Sequence, residues 1–107
     1  MQTLSQDFSI SAQIQPEEVA LIARAGFKSI ICNRPDGESF DQPDFALIEQ
    51  AATDVGVQTR YIPIIPGQTN PEDITAFAQA MRDMPKPILA YCRSGARCNM
   101  IWQLSRG

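Results

Sequence analysis

The chain reads as a three-layer α/β domain with a mainly parallel sheet flanked by helices. Three observations predict it. Short apolar runs that suit buried strands alternate with longer stretches whose apolar residues recur every three or four positions. Proline and acidic residues open those longer stretches, and glycines close the first two. The resulting order, β-α-β-α-β-α-β-α, joins strands by helical crossovers, which makes neighbours parallel and covers both faces of the sheet.

Phe8-Ser9-Ile10-Ser11 alternates apolar and polar residues, as a short strand does. Pro16, Glu17 and Glu18 then open a helix, with proline at its first position and acids in its first turn. Val19, Leu21, Ile22 and Ala25 supply its apolar face, and Gly26 ends it. Residues 28–32 read as a buried strand, and 33–38 as a turn-rich loop at its end. A second helix opens at Pro43 or Asp44, places Phe45, Ile48, Ala51 and Ala52 at helical spacing, and stops at Gly56. Residues 57–65 form the next strand, where Pro63 marks an edge or terminal position. Asn70-Pro71-Glu72-Asp73 provides a cap, a helix-starting proline and two first-turn acids. Ile74, Phe77, Ala78 and Met81 form the buried stripe that follows. Residues 87–91 are the last strand and 96–104 the last helix.

A single domain is expected to cover residues 1–107, since the length leaves little room for a second. Hydrophobic residues make up 44% of the chain, enough for a small core. A net charge of −3 argues against a nucleic-acid surface. The chain has no histidine, which removes the commonest metal ligand and general base. No metal site and no cofactor are expected. Cys32, Cys92 and Cys98 are an odd set without the spacing of a secreted disulfide scaffold. The first seven residues lack the basic and apolar regions of a signal peptide. No apolar run approaches the roughly 20 residues of a membrane helix. A cytoplasmic protein with reduced thiols, and no membrane partner, is the expectation.

Residues 90–99 carry the chemistry. Ligands of open α/β sheets bind beyond the carboxyl ends of the strands, and both Cys92 and the 33–38 loop lie at such ends. A thiol facing the loop of Arg93, Ser94, Gly95 and Ala96, and the N-terminus of the helix beyond, sits where negative charge is favoured. Arg93 and Arg97 add positive charge. These features should push the Cys92 pKa below the free-thiol value of about 8.5 and make it a nucleophile. Gly95 allows close backbone approach or a positive φ, and Arg97 is able to bind an oxyanion or sulfur anion through two hydrogen bonds. Other residues have two readings. Arg93 either faces solvent or steers anions. Cys98 is either a plain helix residue or a resolving thiol for Cys92. Arg34 and Glu38 pair to brace the site, or Arg34 binds substrate, with Asn33 beside them. Cys32 belongs to the core, and Met100 and Trp102 to packing.

The segment Tyr91-Cys92-Arg93-Ser94-Gly95-Ala96-Arg97, with Asn33-Arg34-Pro35-Asp36-Gly37-Glu38 before it, resembles a small bacterial family described both as sulfurtransferases and as phosphatase-like domains. The likeness runs from Phe8 to Trp102. Its members occur alone or fused to a metallo-β-lactamase-fold hydrolase of the sulfur dioxygenase type. It implies the fold of dual-specificity, cysteine-dependent phosphatases, and it makes a sulfur dioxygenase an expected partner. Where this family usually has serine, the chain has Cys98.

The loop spacing bears on the chemistry. Cysteine phosphatases carry Cys-x5-Arg, whereas Arg97 here completes Cys-x4-Arg, as in rhodaneses. Their general acid, an aspartate after the preceding strand, has no counterpart among residues 65–69, and Glu72 and Asp73 read as first-turn helix residues. Their histidine before the cysteine is Tyr91. A rhodanese-like sulfurtransferase is therefore the first expectation. Cys92 would take sulfane sulfur from thiosulfate or glutathione persulfide and pass it to a thiol acceptor, without a general acid when the leaving group is already a good anion. The alternative is a cysteine phosphatase working through a phosphocysteine. A third reading is a non-catalytic anion- or persulfide-sensing module that partners the dioxygenase.

Overall fold

The computed structural model describes residues 1–106 and shows a five-stranded sheet with helices on both faces. The strands are β1 (Gln2–Ser5), β2 (Phe8–Ser11), β3 (Ser29–Cys32), β4 (Gln58–Tyr61) and β5 (Ile88–Tyr91). The helices are α1 (Val19–Arg24), entered through a 3-10 turn at Pro16–Glu18, then α2 (Phe45–Asp54), α3 (Pro71–Asp83) and α4 (Ala96–Arg106). The sheet order is β1-β2-β5-β3-β4, and every pair is parallel except β1 with β2. The predicted class is therefore the observed one. Among the described residues, no helix is long and apolar enough to cross a membrane.

β5 lies between β2 and β3, so all four of its residues are buried. Side chains alternate faces along a strand. Leu89 and Tyr91 join Ile30, Cys32, Val19, Ile22, Ile48 and Ala52 on the α1/α2 side. Ile88, Ala90 and Cys92 join Ile31, Phe77, Ile101 and Trp102 on the α3/α4 side. Phe8 ties the second layer together. Its ring meets Phe77 edge-on at 5.9 Å and stacks on Trp102 at 5.5 Å. Asn70 caps α3 as predicted, and Asp73 answers it by accepting from the Asn70 amide at 3.0 Å.

Four details differ from the hydrophobic pattern. β1 was not predicted: it is an edge strand whose only half-buried residue is Leu4, so it has almost no apolar signature. The strand expected over 57–65 stops at Tyr61, because Pro63 has no N–H for the ladder. Ile62 and Ile64 still donate to the Cys32 and Asn33 carbonyls, at 2.9 and 3.0 Å. Leu21 and Ala25, assigned to the buried face, are exposed, since a six-residue α1 covers the sheet with little more than Val19 and Ile22. On α3 the fully buried pair is Phe77 and Ala80, while Ile74, Ala78 and Met81 are half-buried.

Phe77→Ala removes a fully buried ring from under Phe8 and should destabilise the domain by about 3–5 kcal/mol, a large share of the stability of a domain this size. Urea unfolding followed by circular dichroism measures it as a lowered midpoint with an unchanged slope.

Candidate active site

The register sets the site. Cys32 and Tyr91 lie opposite each other at the ends of β3 and β5, so the chain segments that leave them are neighbours. The Asn33 amide N–H donates to the Tyr91 carbonyl at 2.9 Å, and its side-chain Nδ2 donates to the Ile62 carbonyl at 2.9 Å. Asn33 is fully buried and fastens three strand ends together, with its Oδ1 left without a partner. On the other side of β5, the Cys92 amide donates to the Ser11 carbonyl at 3.3 Å, and the Gln13 amide to the Arg93 carbonyl at 3.4 Å.

Cys92 is fully buried where β5 meets the loop, and that loop folds back over its sulfur. Gly95, at φ +96°, turns its amide onto the sulfur at 3.0 Å. A side chain there would strain the backbone, although space for a Cβ exists. Gly95 also begins α4, its carbonyl accepting from the Asn99 amide at 3.0 Å. The Ala96 amide donates to Ser94 Oγ at 3.3 Å.

These contacts lower the Cys92 pKa to about 5. The largest cause is a hydrogen bond from the Cys98 thiol. Burial opposes it, and the backbone amides of Cys98, Ser94 and Gly95 reinforce it. The two arginines, expected to lower it, are not what holds this thiol down. Cys98 takes the complementary position. Burial first, and then the neighbouring sulfur, raise its pKa far above the ordinary thiol value, so it remains a protonated donor. Cys32 lies on the opposite face of the sheet, where burial raises it to about 11 and its thiol donates to the Arg34 carbonyl at 3.2 Å. Tyr91 shares that face and hydrogen-bonds Cys32, so it does not substitute for a residue acting on Cys92.

Arg97 does not stand free beside the sulfur. Its Nη1 and Nη2 donate to the two Glu38 oxygens at 2.7 and 2.8 Å, and Nη1 also donates to the Ile64 carbonyl at 3.0 Å. Arg34 Nε donates to the same carboxylate at 3.1 Å, and its Nη1 to Gln13 Oε1 at 3.0 Å. Arg97 first, and then Arg34, hold the Glu38 pKa below the carboxylate range. Arg34 and Glu38 pair with each other, the contact that the bracing reading expects. Arg34 is 5% exposed. A guanidinium has five N–H groups, so Arg97 retains its Nε–H and one Nη2–H for a ligand. Arg93 is exposed, as are Ser94 and Ala96. Trp102 packs as predicted, whereas Met100 is 37% exposed and lies near Thr69 on the rim.

The loop can therefore hold a thiolate at neutral pH, backbone donors around it, and one arginine edge oriented by a carboxylate. The structure brings together Cys92, Gly95, Arg97 and the Arg34–Glu38 pair, which the sequence reading had grouped. That reading did not anticipate the Cys98 thiol beside Cys92 as a hydrogen-bond donor, and it missed Gln13, whose contact with Arg34 spans 21 positions and leaves no local signal.

Comparison with known proteins gives a consistent family. The chain is 34% identical over 102 residues to the beta-lactamase hydrolase-like protein of Xylella fastidiosa, covering 95% of this chain and 24% of that one. It is 32% identical to the protein of the same description from Agrobacterium fabrum, over 94% and 23%. The chain thus spans about a quarter of the curated relatives it matches. A Neisseria meningitidis structure provisionally designated a phosphatase superposes with a TM-score of 0.90 at 38% identity, covering 98% of this chain and 75% of that one. The core catalytic domain of a yeast PP-IP phosphatase shares the fold at a TM-score of 0.66 and 18% identity, over 97% and 72% of the two chains. These likenesses favour the phosphatase reading over the sulfurtransferase that the loop spacing put first. Residues 1–107 match throughout the family described as "Beta-lactamase hydrolase-like protein, phosphatase-like domain", and the chain belongs to it.

Proposed function

We propose that the domain hydrolyses phosphate monoesters through a phosphocysteine on Cys92. The observation that carries this reading is a cysteine with a pKa of about 5 beneath a loop of amide donors in a phosphatase-like family. In the first step the Cys92 thiolate attacks phosphorus, the S–P bond forms, and the P–O bond to the leaving group breaks. The phosphoryl oxygens take over the amides of Ser94, Gly95 and Cys98 that otherwise face the sulfur, and the open Nε/Nη2 edge of Arg97 binds them side-on. In the second step water attacks phosphorus, the S–P bond breaks, and inorganic phosphate leaves. The Cys98 thiol supports that departure by donating to the returning thiolate.

No acid stands in the 65–69 segment to protonate the leaving oxygen. The reaction therefore suits leaving groups that depart as anions, such as a phenolate, whose conjugate acid has a pKa of about 10. A second reading, sulfur transfer from thiosulfate or glutathione persulfide to a thiol acceptor, is favoured by the Cys-x4-Arg spacing and by the second thiol against Cys92. The sulfur dioxygenase partner goes with that reading.

Aryl phosphate hydrolysis should occur with the wild-type protein and vanish in Cys92→Ser, with a burst of phenol release marking the phosphocysteine. No hydrolysis, together with a sulfur adduct on intact mass after incubation with thiosulfate or glutathione persulfide, reverses the order of the two readings.

Absorbance at the thiolate band should show one thiolate titrating near pH 5, absent from Cys92→Ser. Cys98→Ala should move that midpoint up towards the free-thiol value, while Cys98→Ser, which keeps a donor, should move it less. The folded pKa is depressed, so ionisation of Cys92 stabilises the fold. That contribution grows with pH from about 5 to the unfolded thiol value of about 8.5, and is lost as pH falls through about 5. Cys92→Ser should flatten the corresponding slope of unfolding free energy against pH.

Glu38→Gln leaves Arg97 with a weaker, neutral acceptor. It should lower kcat/KM for an aryl phosphate by roughly 100-fold through misplacement of the guanidinium, with the Cys92 titration little changed.

A further inference from the structure

Arg97 is bordered by exposed apolar side chains from three separate segments. Its Nη1 donates to the Ile64 carbonyl at 3.0 Å, and the next residue, Ile65, is exposed. Its carboxylate partner, Glu38, stands two positions before Phe40, which is wholly exposed. Met100 lies one helical turn beyond Arg97, on the same side of α4, and is exposed as well. The Thr69 hydroxyl meets the Met100 sulfur at 3.8 Å, and the Gln68 amide closes that loop on the Ile65 carbonyl at 2.9 Å. Glu38 chiefly, and the Cys92 thiolate with it, raise the Arg97 pKa, so the guanidinium feels the charge of the sulfur.

Phe40 is not exposed because its loop is loose. The Asp36 amide donates to the Tyr61 hydroxyl at 2.9 Å, and Asp36 Oδ1 accepts from the Phe45 amide at 2.8 Å. The Gln42 amide donates to the Ser39 carbonyl at 3.2 Å, and Arg34 and Arg97 hold Glu38. The ring is thus carried by a fastened loop, with nothing of its own domain to cover it. Single exposed apolar residues are ordinary on a protein surface, whereas three around one anion-binding guanidinium form a patch. The cations of this region are already matched. Arg34 and Arg97 share Glu38, and Arg93 faces Asp41 across the adjoining cavity. A second anionic group on a substrate would find no spare positive charge there.

We propose that Phe40, Ile65 and Met100 determine specificity by receiving the body of the ester whose phosphoryl group Arg97 holds. They select a single phosphoryl group on an extended, uncharged apolar body, against small or polyanionic esters; this selectivity rests on the phosphatase reading. The gain comes from apolar surface that both the rim and the ester remove from water.

The test compares kcat/KM for phenyl phosphate, para-butylphenyl phosphate, para-(carboxyethyl)phenyl phosphate and the methyl ester of the last, all with leaving phenols of similar acidity. The butyl compound should exceed phenyl phosphate by about 10-fold, and the methyl ester should exceed its acid by a similar factor. Phe40→Ala should remove most of the butyl advantage and Phe40→Leu less of it, with the urea midpoint unchanged in both. Equal kcat/KM for the phenyl and butylphenyl compounds overturns the proposal while leaving the hydrolase reading intact. So does a butyl advantage that survives Phe40→Ala, Ile65→Ser and Met100→Ala combined, or an acid as good as its ester. A dimer in sedimentation equilibrium that Phe40→Ala dissociates gives the rim to a second copy of the chain and likewise overturns it. If none of the four esters is hydrolysed, the hydrolase reading fails, and the rim is tested alone by titrating inert phenylphosphonate and para-butylphenylphosphonate into the wild-type protein. Tighter binding of the butyl compound by about 10-fold, with shifts of the Ile65 and Met100 methyl resonances, supports the rim as the recognition surface. Equal binding overturns it.

Discussion

The Glu38 carboxylate is the contact on which the site depends. It receives Arg34 from its own loop and Arg97 from the first turn of α4, 59 positions away. Without it, two guanidinium groups would face each other across a half-buried space, and neither would be oriented. With it, the end of Arg97 is fixed and its side edge is left open. The interaction is valuable because it is partly desolvated and doubly hydrogen-bonded; an exposed ion pair would contribute far less. The price is a site whose cations are only as well placed as one loop, and Asn33 and Gln13 restrain that loop through backbone and amide contacts.

The pleat of β5 makes a second choice. Cys92 continues the alternation of Ile88 and Ala90 and so emerges on the face that α4 covers, where Cys98 is buried in the first turn. Tyr91 emerges on the other face and meets Cys32. The three thiols are thereby separated into one ionised and two protonated groups by geometry alone. The low pKa of Cys92 comes chiefly from a neutral neighbour that donates a hydrogen bond, and Cys98 can do so only because burial keeps its own proton in place.

Much of this was legible in the residues. The strand–loop–helix around Cys92 announced itself through an apolar run, a glycine and two arginines within ten positions. The helix starts at Pro16 and Pro71 followed from local stereochemistry. The Arg34–Glu38 pairing followed from proximity in the chain. What was not legible depended on long-range register. Glu38 reaches Arg97 only because β3 and β5 are neighbours, and Gln13 reaches Arg34 only because the segment after β2 crosses the Cys92 loop. Cys98 was weighed as a plain helix residue or as a resolving thiol, and its placement against Cys92 as a buried, protonated neighbour comes from the first turn of α4 meeting the end of β5. β1 escaped notice because an edge strand needs no apolar pattern, and β4 was drawn too long because apolar residues continue past the proline that ends its ladder.

Pro63 has a consequence at the margin of the sheet. β4 is an outer strand, and its free edge would ordinarily offer a row of unpaired amides to another chain. Here the strand is four residues long, carries Arg60 at its surface, and runs into a residue with no amide proton. At the opposite margin β1 is equally short and breaks its register between Thr3 and Ser5. Both borders are poor templates for strand addition, so the wholly buried, strongly apolar β5 lies between two margins that offer little for another strand to pair with.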